Sequence, residues 1–309
     1  MRRLDFKLKL KTITGILISI VGLAWAFHDF NFNNFIIVLK NTNLIYIGLA
    51  CISLVFSVWL RAVRWNLLIE SDKVTTKNLY DIEMVGYFGN NVLPFRFGEI
   101  YRSVLLSTKT ELSKSYCFGT IVLERMMDLF GLFLFFLILI LFYPVPEEIK
   151  SWGMITLSIF LLFVIIFFIF NKIFNLRNYI KLNFIKQFLK VFIDLKFNST
   201  IAVLFWTIII WLIYLVDTYL IQYAFQLDMS WKQTLLVLVL TSITMAIPSA
   251  PGTIGTFHAA VKFTMVSLLG YGADESNTYS IILHAYGFIT LTFIGAFYFM
   301  NSMKKENLI

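Results

Sequence analysis

Four stretches of this chain set charged or helix-breaking residues inside apolar sequence. Such residues are costly there and usually serve a partner, a cavity or a break. The first reads Asn90-Asn91-Val92-Leu93-Pro94-Phe95-Arg96-Phe97-Gly98-Glu99-Ile100-Tyr101-Arg102. Pro94 lacks an N–H and fixes φ, which suits the first turn of a new helix. Asn90 and Asn91 can satisfy backbone groups freed at the break. The helix after Pro94 is expected to carry Arg96, Glu99 and Arg102 at three-residue steps, roughly along one face. Its N-terminus offers unpaired N–H groups and a positive dipole end. With Arg96 this makes a candidate site for a phosphate or carboxylate. A cytoplasmic turn with ordinary surface charges is the plainer alternative.

The second stretch, Glu124-Arg125-Met126-Met127-Asp128, opens a long apolar helix running to Tyr143. Glu124 and Asp128 lie one turn apart on one face. Arg96, Arg102 and Arg125 are candidate partners, either in a structural ion-pair network or in a substrate or proton role. The third is Arg61-x-x-Arg64-Trp65, which fits an interfacial anchor with an aromatic-belt residue. It also fits a cationic lining for a lipid headgroup. The fourth is Pro248-Ser249-Ala250-Pro251-Gly252-Thr253-Ile254-Gly255-Thr256-Phe257-His258. Two prolines and two glycines end one helix and start another, as a kink or as the lining of a polar path. His258 fits a satisfied core histidine better than a metal ligand, and a titrating group is the alternative. Asp217 is a lone acid in an apolar run, either functional or near the outer boundary. Nucleotide, dinucleotide, zinc-protease and nucleophile-elbow motifs are absent. No cofactor is expected, and direct ATP hydrolysis is not expected of this chain.

These residues are positioned by membrane helices. Hydrophobic residues make up 59% of the 309 residues and charged ones 14%, with a mean hydropathy of +0.80. A soluble domain is about 45–50% apolar and about 25% charged. Soluble folds, disorder and disulfide scaffolds are excluded on that ground. A membrane barrel would alternate apolar and polar residues, whereas the runs here are continuous. Cys51 and Cys117 stand apart, without metal or redox spacing, and fit core positions. Apolar runs at 12–27, 44–60, 118–142, 152–170, 201–223 and 279–300 give about six full spans. The first follows a basic start without a small-residue cleavage site, so it is expected to be retained. Two further regions, about 82–106 and 233–270, are apolar but broken.

Basic residues fix the expected sides. Residues 1–11, 61–77, 96–114, 171–199 and the tail collect lysines and arginines, while the opposite loops hold only Lys40, Lys150 and Lys232. Both termini are then cytoplasmic, and the same bias accounts for the net charge of +8 without nucleic acid as a partner. Region 82–106 must enter and leave from the cytoplasm as a short hairpin or two half-helices. Region 233–270 must enter and leave from outside, and has length enough for two full spans. Broken helices from opposite faces suggest an inverted repeat. The loop at about 172–198 mixes lysines with Ile180, Phe184, Ile185, Phe188, Leu189 and Phe192, and predicts an amphipathic helix on the inner leaflet. The whole chain, 1–309, reads as one all-α membrane domain.

Taken together and in order, Arg61-x-x-Arg64-Trp65, Asn90-x-x-x-Pro94-x-Arg96-x-Gly98-Glu99-x-x-Arg102, Glu124-Arg125-x-x-Asp128 and Pro248-x-x-Pro251-Gly252-x-x-Gly255 resemble the lysylphosphatidylglycerol synthase transmembrane-region family. That family includes the flippase-like module of the multiple peptide resistance factor. The resemblance covers about residues 10 to 300. It implies a helical protein of the bacterial cytoplasmic membrane, with re-entrant segments and a role in lipid translocation. Thr253 and His258 stand where the family usually has a second glycine and an acid, which puts a lysyl-lipid substrate in doubt. The chain stops at Ile309, so an attached aminoacyl-transferase domain is not expected. The reading is a flippase-like transporter of an anionic phospholipid, an aminoacyl-phospholipid or a glycolipid. An integral-membrane transferase using Glu124 and Asp128 as acid and base, or a helper subunit of a lipid-synthesising enzyme, are the rivals.

Overall fold

A computed structural model describes residues 20–306 except 22, 26, 94, 95, 175–181 and 245–250. The described chain is helical. In order come α1 (Phe32–Asn41), α2 (Leu44–Asn66), α3 (Thr76–Val92), α4 (Phe97–Thr110), α5 (Lys114–Phe142) and α6 (Glu147–Phe174). Then follow α7 (Asn183–Ile193), α8 (Phe197–Ala224), α9 (Trp231–Ile243), α10 (Thr256–Lys262) and α11 (Ala273–Glu306). A π-helical turn, Phe263–Leu268, continues α10. Five of these helices are long and apolar enough to cross a bilayer: Leu44–Asn66, Lys114–Phe142, Glu147–Phe167, Asn198–Ala224 and Ala273–Lys304. The chain is a multi-pass membrane protein. The expected first span, 12–27, lies mostly outside the described residues, though those described just before His28 are helical.

Helix α6 shows why lipid is its solvent. Only 6% of its apolar stretch is buried, and Trp152, Ile159, Leu162 and Phe163 are all more than half exposed. In water that surface would exceed the patches a monomer tolerates.

Among its described residues, region 233–270 shows two short helices rather than two full spans. Helix α9 has 13 residues, about 20 Å at 1.5 Å per residue, against a hydrocarbon core of about 30 Å. Past the break, α10 and its π-helical turn run only from Thr256 to Leu268. The apolar length that suggested two spans included the break itself. Pro251 opens a 3-10 turn, Gly252 and Gly255 have φ of 70° and 96°, and Thr253 between them has φ of 59°. Left-handed backbone of this kind ends a helix and suits glycine.

The described chain divides into two compact units. One comprises the described residues within 1–58, 81–101 and 212–309; the other comprises those within 59–80 and 102–211. In the first, Ala50, Ile221, Val237, Phe257, Val261, Met265, Tyr279 and Leu283 form a core that draws the short α9 and α10 against the long helices. In the second, Gly131 lies against the Trp211 indole, with no room for a Cβ.

Helix α7 occupies the expected amphipathic loop and also packs on α5. Val191 is buried, Lys190 reaches Glu70 at 2.9 Å, and Phe188 stacks near Phe118. The approach is close because position 119 is glycine: a Cβ there would stand 2.6 Å from the Phe188 carbonyl oxygen. Backbone cannot yield as a side chain can, so Gly119→Leu is expected to undock α7 at about 1–3 kcal/mol. Faster hydrogen exchange over Asn183–Ile193 would reveal it, and unchanged protection there would refute it.

Candidate functional site

Arg61 and Arg64 lie one turn apart near the end of α2. Glu124 and Asp128 lie one turn apart on α5, whose start is capped by Ser113 accepting from the Tyr116 N–H. These two faces meet. Arg61 donates through Nη2 to Glu124 Oε1, and through Nη1 to the two Asp128 oxygens at 3.3 and 3.2 Å. Arg64 Nη2 reaches Asp128 Oδ1 at 2.7 Å and Glu124 Oε1 at 3.3 Å, while its Nη1 reaches the Thr207 hydroxyl at 3.1 Å. Arg102, from α4, donates to Glu124 Oε2 at 2.8 Å, and its guanidinium lies 4.3 Å from the Trp65 ring centroid. The indole N–H of Trp65 is fixed in turn by the Thr120 hydroxyl at 2.9 Å.

Arg61, Arg64, Arg102 and Glu124 are sealed, each no more than 2% exposed. The side chains of Arg125 and Asp128, joined at 2.9 Å, are 33% and 19% exposed. The cluster therefore has a closed floor and an open edge. Four guanidinium groups surround two carboxylates, so the edge presents positive charge. Forked N–H donors match phosphate oxygens well. Glu124 accepts from three arginines and Asp128 from three, which leaves neither placed for acid–base work.

The sequence expectations divide accordingly. Arg61, Arg64, Arg102, Glu124, Arg125 and Asp128 come together. Arg61 and Arg64 are not interfacial anchors, because both side chains are buried. Arg96 does not share a face with Glu99 and Arg102. It precedes α4, is exposed, and has a left-handed φ of 53°. Two steps of three residues also turn a helix by about 600°, leaving the ends about 120° apart. Pro94 lies outside the described residues, and the helix expected to follow it begins at Phe97.

Within its own unit Glu99 accepts from Asn90 at 3.0 Å. Gly98 is a packing position, since a Cβ there would meet the Gly86 carbonyl and Asn90. Pro248 lies outside the described residues. Pro251, Gly252 and Gly255 shape the break, and His284 Nε2 lies 2.7 Å from the Gly252 carbonyl. His258 is 6% exposed, with its ring centroid 4.9 Å from that of His284. Asp217 is fully buried on α8. Among the described residues no three His, Cys, Asp or Glu side chains gather as metal ligands would.

Sequence reasoning missed a second polar group. Lys262, side chain 5% exposed, donates to Asp29 at 2.5 Å, and Asn277 donates to the same oxygen at 3.3 Å. Asn34 donates to Asp274 at 2.6 Å. A lysine inside an apolar stretch was the available signal. Hydrogen bonding to the Lys262 ammonium lowers the Asp29 carboxyl below its ordinary value. A carboxyl lowered in the folded state stabilises above its unfolded value of about 3.9, and that stabilisation is lost as pH falls through the folded value. Asp29→Asn is therefore expected to melt below the wild type at neutral pH, with the gap closing below about pH 4. A gap that stays constant across acid pH would contradict the pairing.

An all-helical, multi-pass membrane protein with an arginine–carboxylate cluster buried between its helices is thus defined. The chain belongs to the lysylphosphatidylglycerol synthase transmembrane-region family, whose profile matches residues 12–295. Two relatives from the archaeon Methanocaldococcus jannaschii are similar to it. The UPF0104 membrane protein MJ1595 is 31% identical over 170 residues, covering 52% of this chain and 50% of that protein. The UPF0104 membrane protein MJ1078 is 26% identical over 203 residues, covering 63% of this chain and 85% of that protein. The chain thus spans about half the length of the first relative. No solved structure matches it.

Proposed function

We propose that the protein is a lipid transporter of a prokaryotic cytoplasmic membrane, moving a lipid whose headgroup carries an anionic phosphate. One observation carries the reading: four arginines gathered around two carboxylates between apolar helices, sealed on one side and open at Arg125 and Asp128. Intramembrane charges of this kind mark substrate pathways. Glu124 holds the guanidinium groups in place, and Arg125 at the open edge meets the phosphate. The acyl chains remain in lipid, and the broken helices α9 and α10 provide a second polar surface in their own unit. The family's flippase-like module supports the transport class, and the resemblance to the resistance factor suggests a bacterial setting. The archaeal relatives widen that setting. A lipid-synthesising enzyme is the natural supplier of substrate.

Reconstituted vesicles test the proposal. Headgroup-labelled phosphatidylglycerol should cross with the protein present and stay in place without it. A helper subunit would move nothing, yet co-purify with a synthase.

A further inference from the structure

We propose that Asp217 is the coupling-cation site of this transporter, taking up a proton or a sodium ion from within the helix bundle of its unit. The proposal rests on the transporter reading for its purpose, though not for its chemistry. Asp217 lies in the span Asn198–Ala224 and is 0% exposed. Neither of its carboxyl oxygens accepts a hydrogen bond of normal geometry among the described residues. Among the described residues Ser53 of α2 stands beside it, and no lysine, arginine or histidine is seen acting on it. Tyr286 of α11 faces it, and Tyr214, Tyr279 and Cys51 stand around that tyrosine. None of these carries positive charge.

The contrast with Glu124 and Asp128 decides the reading. Glu124 and Asp128 are each met by three arginines. Asp217 is met by none. A carboxylate left bare in a membrane interior costs several kcal/mol, so its charge must be neutralised. A proton or a small desolvated cation is the remaining choice. An alanine or asparagine would serve a purely structural role without that burden. Moving a charged headgroup against its gradient takes a coupled energy source, and cation uptake at a buried carboxylate can supply it.

A lipid-soluble carbodiimide tests the site directly on the purified protein. It adds to a protonated carboxyl: the carboxyl oxygen bonds to the central carbon and the proton passes to a carbodiimide nitrogen. An O-to-N shift then leaves a stable acylurea, read by mass on the peptide carrying Asp217. Labelling is expected in acidic, sodium-free buffer and should fall on the order of tenfold per pH unit above the titration point. Protection by sodium, but not by potassium, at fixed pH would name sodium as the cation. Dependence on pH alone would name the proton. Both support the site. Glu124 and Asp128 should stay unlabelled, since arginines hold them.

The melting temperature of wild type should rise with the cation while that of Asp217→Asn does not. An Asp217 unlabelled in every buffer, with wild type and Asp217→Asn responding alike to the cation, would overturn the proposal. Labelling that behaves as described in a protein that moves no lipid would instead count against the transporter reading and leave the cation site standing.

Discussion

Glu124→Ala is expected to destabilise the protein by about 3–5 kcal/mol, the range for breaking a buried ion pair by removing one partner. Glu124 is fully buried and accepts from Arg61, Arg64 and Arg102. Its loss takes from three sealed guanidinium groups the carboxylate they share. Glu124→Gln keeps the shape yet removes the charge, so most of the loss should remain. Adding Arg102→Met to Glu124→Ala removes one of the stranded charges and should recover part of it, giving a coupling energy of about 0.5–3 kcal/mol. Thermal unfolding in detergent measures all of these. Additive effects would show that the two side chains do not act on one another.

Arg125→Gln is expected to do the reverse: leave the fold intact and slow lipid movement. Its pair with Asp128 is one-third exposed on the arginine side, and such pairs contribute about 0–1 kcal/mol to stability. A charged hydrogen bond to a phosphate is stronger, at about 1.5–3 kcal/mol. At 1.4 kcal/mol per factor of ten, losing it predicts a slowing of roughly ten- to a hundredfold. Arg125→Lys keeps the charge without the fork and should fall between. Unfolding and flux measured on one preparation separate the two effects.

Much of this was legible in the residues. Continuous apolar runs gave the membrane helices, because the spanning length and the need to satisfy backbone groups leave few alternatives. Glu124 and Asp128 stood out because charge inside an apolar run demands a partner. The partners were only half legible. Arg102 and Arg125 lie near in sequence, whereas Arg61 and Arg64 are more than fifty residues away and looked like ordinary boundary residues. Sequence spacing places side chains around one helix and cannot say which helix it will face. Arg96 illustrates the converse. Three-residue spacing suggested a shared face, yet a left-handed residue before α4 and the drift of a 3.6-residue helix separate it from Arg102. Apolar length overcounts the spans of region 233–270, because it says nothing of where backbone breaks divide it. The Lys262–Asp29 pair is not legible in the sequence, because two hundred and thirty-three residues separate its members.

The central claim is that the arginine cluster, opened at Arg125, carries an anionic headgroup. Its most direct test is lipid movement in vesicles reconstituted with wild type, Arg125→Gln or Arg96→Gln, using labelled phosphatidylglycerol beside a labelled zwitterionic lipid. The account predicts that wild type moves the anionic lipid faster, that Arg125→Gln loses this movement roughly tenfold or more, and that Arg96→Gln retains most of it. Equal movement of both lipids, or full activity in Arg125→Gln with loss in Arg96→Gln, would contradict it.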